Sequence, residues 1–108
     1  MASTELDGAR MLDWDGFHAE SRRAFGFPDF YANSMDAWVD CLSYLRDDDG
    51  MSRFRLAPDE VLQIVIKDAQ AMRAQAPDLL EEITFCIAGI NERYADYGEK
   101  PALALVLR

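Results

Sequence analysis

The chain has 108 residues, half of them hydrophobic, with 20 acids against 11 bases and a formal net charge of −9. That apolar share excludes a disordered chain. The acidity excludes direct binding to nucleic acid phosphates or anionic membrane surfaces and favours a cationic protein partner. The length suits one domain over residues 1–108 with a core of its own.

The acids are unevenly placed: residues 1–50 hold 11 of them against 4 bases, and residues 27–50 hold six aspartates against Arg46 alone. A solvated acidic surface is the plainest account of such a bias. MASTELDGARML, at the start, lacks the apolar stretch of a signal peptide, and no run is long enough to span a bilayer, so the chain reads as cytoplasmic.

Thr4 to Leu6 reads as a first strand, closed by the turn signal Asp7-Gly8. Asp13 can cap a helix from about Trp14 to Phe25, with Phe17, Ser21, Ala24 and Phe25 inward and Gly26 ending it. Asn33 or Ser34 can cap the next helix, whose apolar stripe is Met35, Trp38, Val39 and Leu42, extended by Leu45. Asp36, Asp40, Ser43 and Asp47 repeat on another side, about 130° away at 100° per residue. Asp47, Asp48, Asp49 and Gly50 end the helix, because acids there oppose its dipole.

Residues 51–60 read as a connector, with an extra edge strand expected near 53–56. VLQIVI at 61–66 has the pattern of a strand buried on both faces. Asp68 is the expected cap of a short helix ending before Pro77, and Pro77 suits the first turn of a long one. Leu79, Ile83, Cys86, Ile87, Ile90, Tyr94 and Tyr97 give that long helix its apolar spacing, and ALALVL at 102–107 is the last strand. Long helical connections imply parallel pairing, so the expectation is a small α/β domain with a three-stranded parallel sheet packed by about four helices.

Catalytic signatures are missing from the sequence. It contains no glycine-rich phosphate loop, no H-E-x-x-H and no G-x-S-x-G, and His18, its sole histidine, reads as an ordinary helix residue. Asp36 and Asp40 could form a glycosidase-like carboxylate pair, but such pairs line clefts built from several elements. DDDG at 47–50 lacks the alternating ligands and distant glutamate of a calcium loop. Cys41 and Cys86 sit in apolar helical patterns with no C-x-x-C, which predicts buried thiols and neither a metal nor a redox site. No cofactor and no enzymatic activity are expected. Asp36 and Asp40 are the residues this reading singles out: like charges one turn apart repel slightly, and no base on their own helix is within a turn of them on that side. Phe30 and Tyr31 precede the helix cap. They either staple it or project beside the aspartates as interface aromatics.

FGFPDFYANSMDAWVDCL, with DG at 7–8 and DGFH at 15–18 upstream, resembles the barstar family, intracellular inhibitors of secreted barnase-type ribonucleases. The likeness is strong over residues 4–45 and rests afterwards on element order. It implies a three-stranded parallel sheet packed by helices and a basic ribonuclease as partner of a free monomer. It also implies a partner-binding set of Phe30, Tyr31, Ser34, Asp36, Val39, Asp40 and Ser43, with a later glutamate falling near Glu92. Phe30 lacks the hydroxyl usual in the family. Ser34 stands for an asparagine, Val39 for a tryptophan and Ala32 for a glycine, so the loop before the helix must differ if that glycine's geometry is required. The expected function is inhibition of a basic ribonuclease by an acidic helix. The alternative is a barstar-like binding module, or an immunity protein, for a different basic partner or toxin.

Overall fold

The computed structural model describes residues 2–48 and 50–108; Met1 and Asp49, the latter part of the acidic run expected to close the second helix, lie outside the described residues. In chain order the elements are β1 (Ala2–Asp7), a 3-10 turn (Gly8–Arg10), α1 (Trp14–Phe25), α2 (Met35–Leu42), β2 (Leu62–Lys67), α3 (Ala69–Gln75), α4 (Pro77–Asp96) and β3 (Leu103–Leu107). The sheet has the order β1-β2-β3 and both pairings are parallel, with Thr4 beside Ile64 and Ile64 beside Leu105. The three-stranded parallel sheet with four helices is thus as expected.

Strand alternation decides which sheet face is covered. Leu6, Leu62, Ile64, Ile66 and Leu103 belong to the hydrophobic core, with Leu105 and Leu107 packed against it. Ser3, Glu5, Gln63, Ala104 and Val106 fall on the other face and are exposed or half-buried. The strands are therefore not uniformly buried on both sides. Only central β2 comes near that pattern, because Val65 is buried from the second face as well.

Local chemistry sets the helix ends. Asp13 Oδ1 accepts the Gly16 N–H at 2.7 Å, and Gly26 closes α1 in the left-handed region at φ 64°. Ser34, rather than Asn33, caps α2: its Oγ accepts the Ala37 N–H at 3.1 Å. Asn33 takes the left-handed position of the preceding loop at φ 51°, a conformation asparagine tolerates, and Ala32 needs no glycine geometry. Pro77 opens α4 at its first turn. Asp68 departs from expectation. It lies in the left-handed region at φ 54° and makes no side-chain cap bond, so α3 starts without one. Gly8 is demanded by packing, since a Cβ there would lie 2.6 Å from the Lys67 carbonyl oxygen and 2.7 Å from that of Asp68.

No strand forms at 53–56. The Arg53 N–H donates to the Phe25 carbonyl and the Leu56 N–H to the Leu45 carbonyl, so the segment ties together the ends of two helical regions and does not join the sheet. Arg46 reinforces this corner. Its nearly buried side chain donates to the carbonyls of Glu60 and Lys100, pairs with Glu99 at 3.3 Å and lies over the Tyr94 ring.

Candidate functional site

α2 is held from two sides. Trp38 is fully buried between α1 residues: its ring packs 5.6 Å from Phe17 and 6.0 Å from Phe25, and its indole N–H donates to Ser21 Oγ at 3.1 Å. From α4, the Tyr94 hydroxyl accepts the Leu45 N–H at 2.9 Å and donates to the Leu42 carbonyl at 3.3 Å. These contacts place the C-terminal end of α2 against α4 and leave the stripe away from Trp38 outward, along the edge of the α2–α4 seam.

Asp36 and Asp40 lie on that outward stripe, and both are exposed. Asp36 makes no ion pair among the described residues, whereas Asp40 Oδ1 meets Arg93 Nη1 at 3.3 Å. The reading that no base lies beside these aspartates holds within α2 and fails in three dimensions, because Arg93 comes from α4. The same guanidinium nitrogen donates to Ser43 Oγ at 3.2 Å, while the Ser43 hydroxyl donates to the Val39 carbonyl at 2.6 Å.

Phe30 is 74% exposed at the approach to α2, but Tyr31 is buried. The Tyr31 hydroxyl lies 2.6 Å from His18 Nδ1, and the Arg22 guanidinium donates to the Tyr31 carbonyl. Burial, reinforced by the Arg22 charge and opposed by Asp15, holds the His18 pKa below its ordinary value. The neutral imidazole and the tyrosine hydroxyl share one hydrogen bond, whose direction follows the imidazole tautomer. Burial likewise raises the Tyr31 pKa, so the tyrosine stays neutral. Tyr31 is thus a brace beneath Phe30. Ser34 is engaged in capping, Val39 is half-buried, and Glu92 is exposed on α4 but does not line either groove described next.

Two grooves follow the α2–α4 seam, one on each side of Arg93. The first is lined by apolar Met35, Val39 and Phe85 together with Asp36, Asp40 and Glu82. Gly89 leaves room in it, since a Cβ there would meet nothing within 4 Å. The second is bordered by Tyr44, Tyr97, Asp47, Asp96 and Glu99. Phe85 and Tyr97 are among the most exposed large hydrophobic residues, at 74% and 84%. Acid beside exposed aromatic surface suits a basic protein.

Neither cysteine offers a thiolate. Burial raises both thiol pKa values, that of Cys86 to about 11 with help from its hydrogen bond to Glu82. Sequence reasoning missed Arg93 and the hydrogen bonds of Tyr94, which it placed only in the apolar stripe of α4; of its two readings of the aromatic pair, packing holds for Tyr31 and exposure for Phe30. Arg93 and Tyr94 act across about fifty residues of chain, beyond any helical spacing rule.

The family described as Barstar (barnase inhibitor) matches residues 1–106. The chain belongs to the barstar family. The match extends well beyond residue 45, through the long helix and into the last strand. Membership carries the general activity of barstar-like proteins, which are inhibitors of barnase-type ribonucleases and not enzymes, and the general kind of partner, a ribonuclease. No curated protein matches the chain. Among the described residues, no helix is long and apolar enough to cross a membrane.

Proposed function

We propose that this chain inhibits a basic, secreted-type ribonuclease by seating the outward stripe of α2 in the enzyme's phosphate-binding cleft, and that it does so in the cytoplasm of the producing cell. The observation that carries the reading is the pair of exposed carboxylates, Asp36 and Asp40, on a short helix whose opposite side is fixed by a buried tryptophan.

A ribonuclease cleft gathers cations around the scissile phosphate. Carboxylates offer oxygen acceptors of the same charge sign, and their hydrogen bonds to cationic donors are about twice as strong as neutral ones. Because Trp38 and Tyr94 hold α2 before the partner arrives, little ordering remains to be done on binding. Phe30 supplies an exposed ring beside the acids, while Tyr31 and Ser34 act from beneath by holding the loop and the cap. Val39 lines the groove beside the carboxylates, and Ser43 shares Arg93 with Asp40. Glu92 is a peripheral contact in this arrangement. The net charge of −9 steers a cationic enzyme toward this face.

Titration of barnase with the wild-type chain and with Asp36→Ala and Asp40→Ala tests the reading. Both positions are exposed on a helix, so alanine leaves the fold intact. The expected result is potent inhibition by the wild type and a loss of at least about 30-fold for each variant. Equal potency of all three proteins would refute the role of the acidic stripe. Inhibition of some other basic toxin but not of barnase would move the chain to the immunity-protein alternative.

A further inference from the structure

We infer that Arg93 is a specificity-determining residue, an internal counter-ion that occupies Asp40 in the free chain and is exchanged for a long cationic side chain of the partner. This rests on the acidic stripe being the docking face. Among the described residues Arg93 is the sole Lys or Arg lining either groove of the α2–α4 seam, one of which also holds Asp36, Asp40 and Glu82 and the other Asp47, Asp96 and Glu99, the last already paired with Arg46. It already makes the contact that a partner's cation would make: one guanidinium nitrogen lies 3.3 Å from Asp40 Oδ1 and 3.2 Å from Ser43 Oγ.

The exchange is physically easy. The Arg93 and Asp40 side chains are 50% and 58% exposed, and an ion pair in such a setting contributes little to stability. Arg93 stands on the surface of α4 and can swing to solvent without disturbing the core. If it stayed in place under a docked protein, its remaining N–H groups would be stripped of water without partners, which is the costly outcome for a buried cation. The first groove shows what replaces it. Apolar Met35, Val39 and Phe85 beside the carboxylates of Asp36, Asp40 and Glu82 suit the hydrocarbon stem and charged head of an arginine or lysine. Arg93 therefore sets a threshold: a partner must offer a cation good enough to displace it, and weakly basic proteins fail.

Hexa-arginine peptide and barnase serve as two probes, compared across the wild type, Arg93→Gln, Arg93→Lys and Arg10→Gln. Arg10 is an exposed base outside both grooves, so Arg10→Gln removes the same charge elsewhere. Arg93→Gln is expected to bind the peptide about three- to tenfold more tightly than the wild type and to associate faster with barnase at low salt. Arg93→Lys should stay near wild type, and Arg10→Gln should gain clearly less than Arg93→Gln. Equal gains for Arg93→Gln and Arg10→Gln, or weaker peptide binding by Arg93→Gln, would overturn the inference. A wild type that leaves barnase uninhibited while the peptide result holds would leave the counter-ion in place and remove the ribonuclease as its partner.

Discussion

Trp38 separates two roles that its neighbours in sequence could have confused. It stands beside Val39, the position where the barstar family carries an interface tryptophan, yet its ring is fully buried and its N–H is used by Ser21. Trp38→Phe should therefore act on stability: it leaves the buried Ser21 hydroxyl without its donor and opens a small void. The expected loss is about 1–3 kcal/mol in urea denaturation, with inhibitory potency retained by the folded variant. Loss of potency at unchanged stability would instead place Trp38 in the interface. The apolar spacing of α2 made this inward position legible, as it did Phe17 and Ser21 in α1. It could not show that Glu20 and His18 are also buried. Their partners are Arg23 and the Asp7 N–H for the first and Tyr31 for the second, and polar residues carry no sequence mark of which of them will find partners.

The element that carries the aromatic approach to the site is the loop at 27–34, and α1 holds it through His18. The His18 pKa lies below its ordinary 6.5, mainly through burial, so between the folded value and 6.5 the unfolded chain binds more protons. The stabilising contribution of the neutral, hydrogen-bonded imidazole is fully present above 6.5 and is lost as pH falls through the folded value. Thermal midpoints measured from about pH 7.5 down to pH 5 should fall for the wild type and fall less for His18→Gln. Parallel curves would remove His18 from the acid response. Glu20 acts in a separate, lower window. Its pKa is lowered mainly by the Arg23 hydrogen bond, so its contribution fades only below the ordinary glutamate range. At this scale β2 and α4 were legible because an apolar run and a long three-and-four spacing each admit one reading. The segment at 53–56 was not. Its backbone groups bond to carbonyls at two helical ends, and its alternation imitates a strand without a neighbouring strand to pair with. Asp68 likewise has the composition of a cap, but its left-handed backbone excludes that role.

At the scale of the molecule, the charge asymmetry of the sequence becomes a surface with a direction. The acidic stripe of α2 faces outward, and α4 adds Glu82 and Asp96 along the seam, with Glu99 just beyond its end. The sequence showed the acids but not the base that meets Asp40. Arg93 and Asp40 are 53 residues apart, and only the packing of α2 on α4 brings them together. The proposed inhibition rests on this surface occupying the place of RNA in a ribonuclease. The most direct measurement is steady-state inhibition of barnase at several concentrations of RNA substrate, repeated with a 3′-mononucleotide as second inhibitor. Competitive inhibition is expected, with the apparent inhibition constant rising linearly with substrate and the nucleotide and the protein excluding each other. An enzyme that stays fully active, or one that binds nucleotide and inhibitor together, would contradict it.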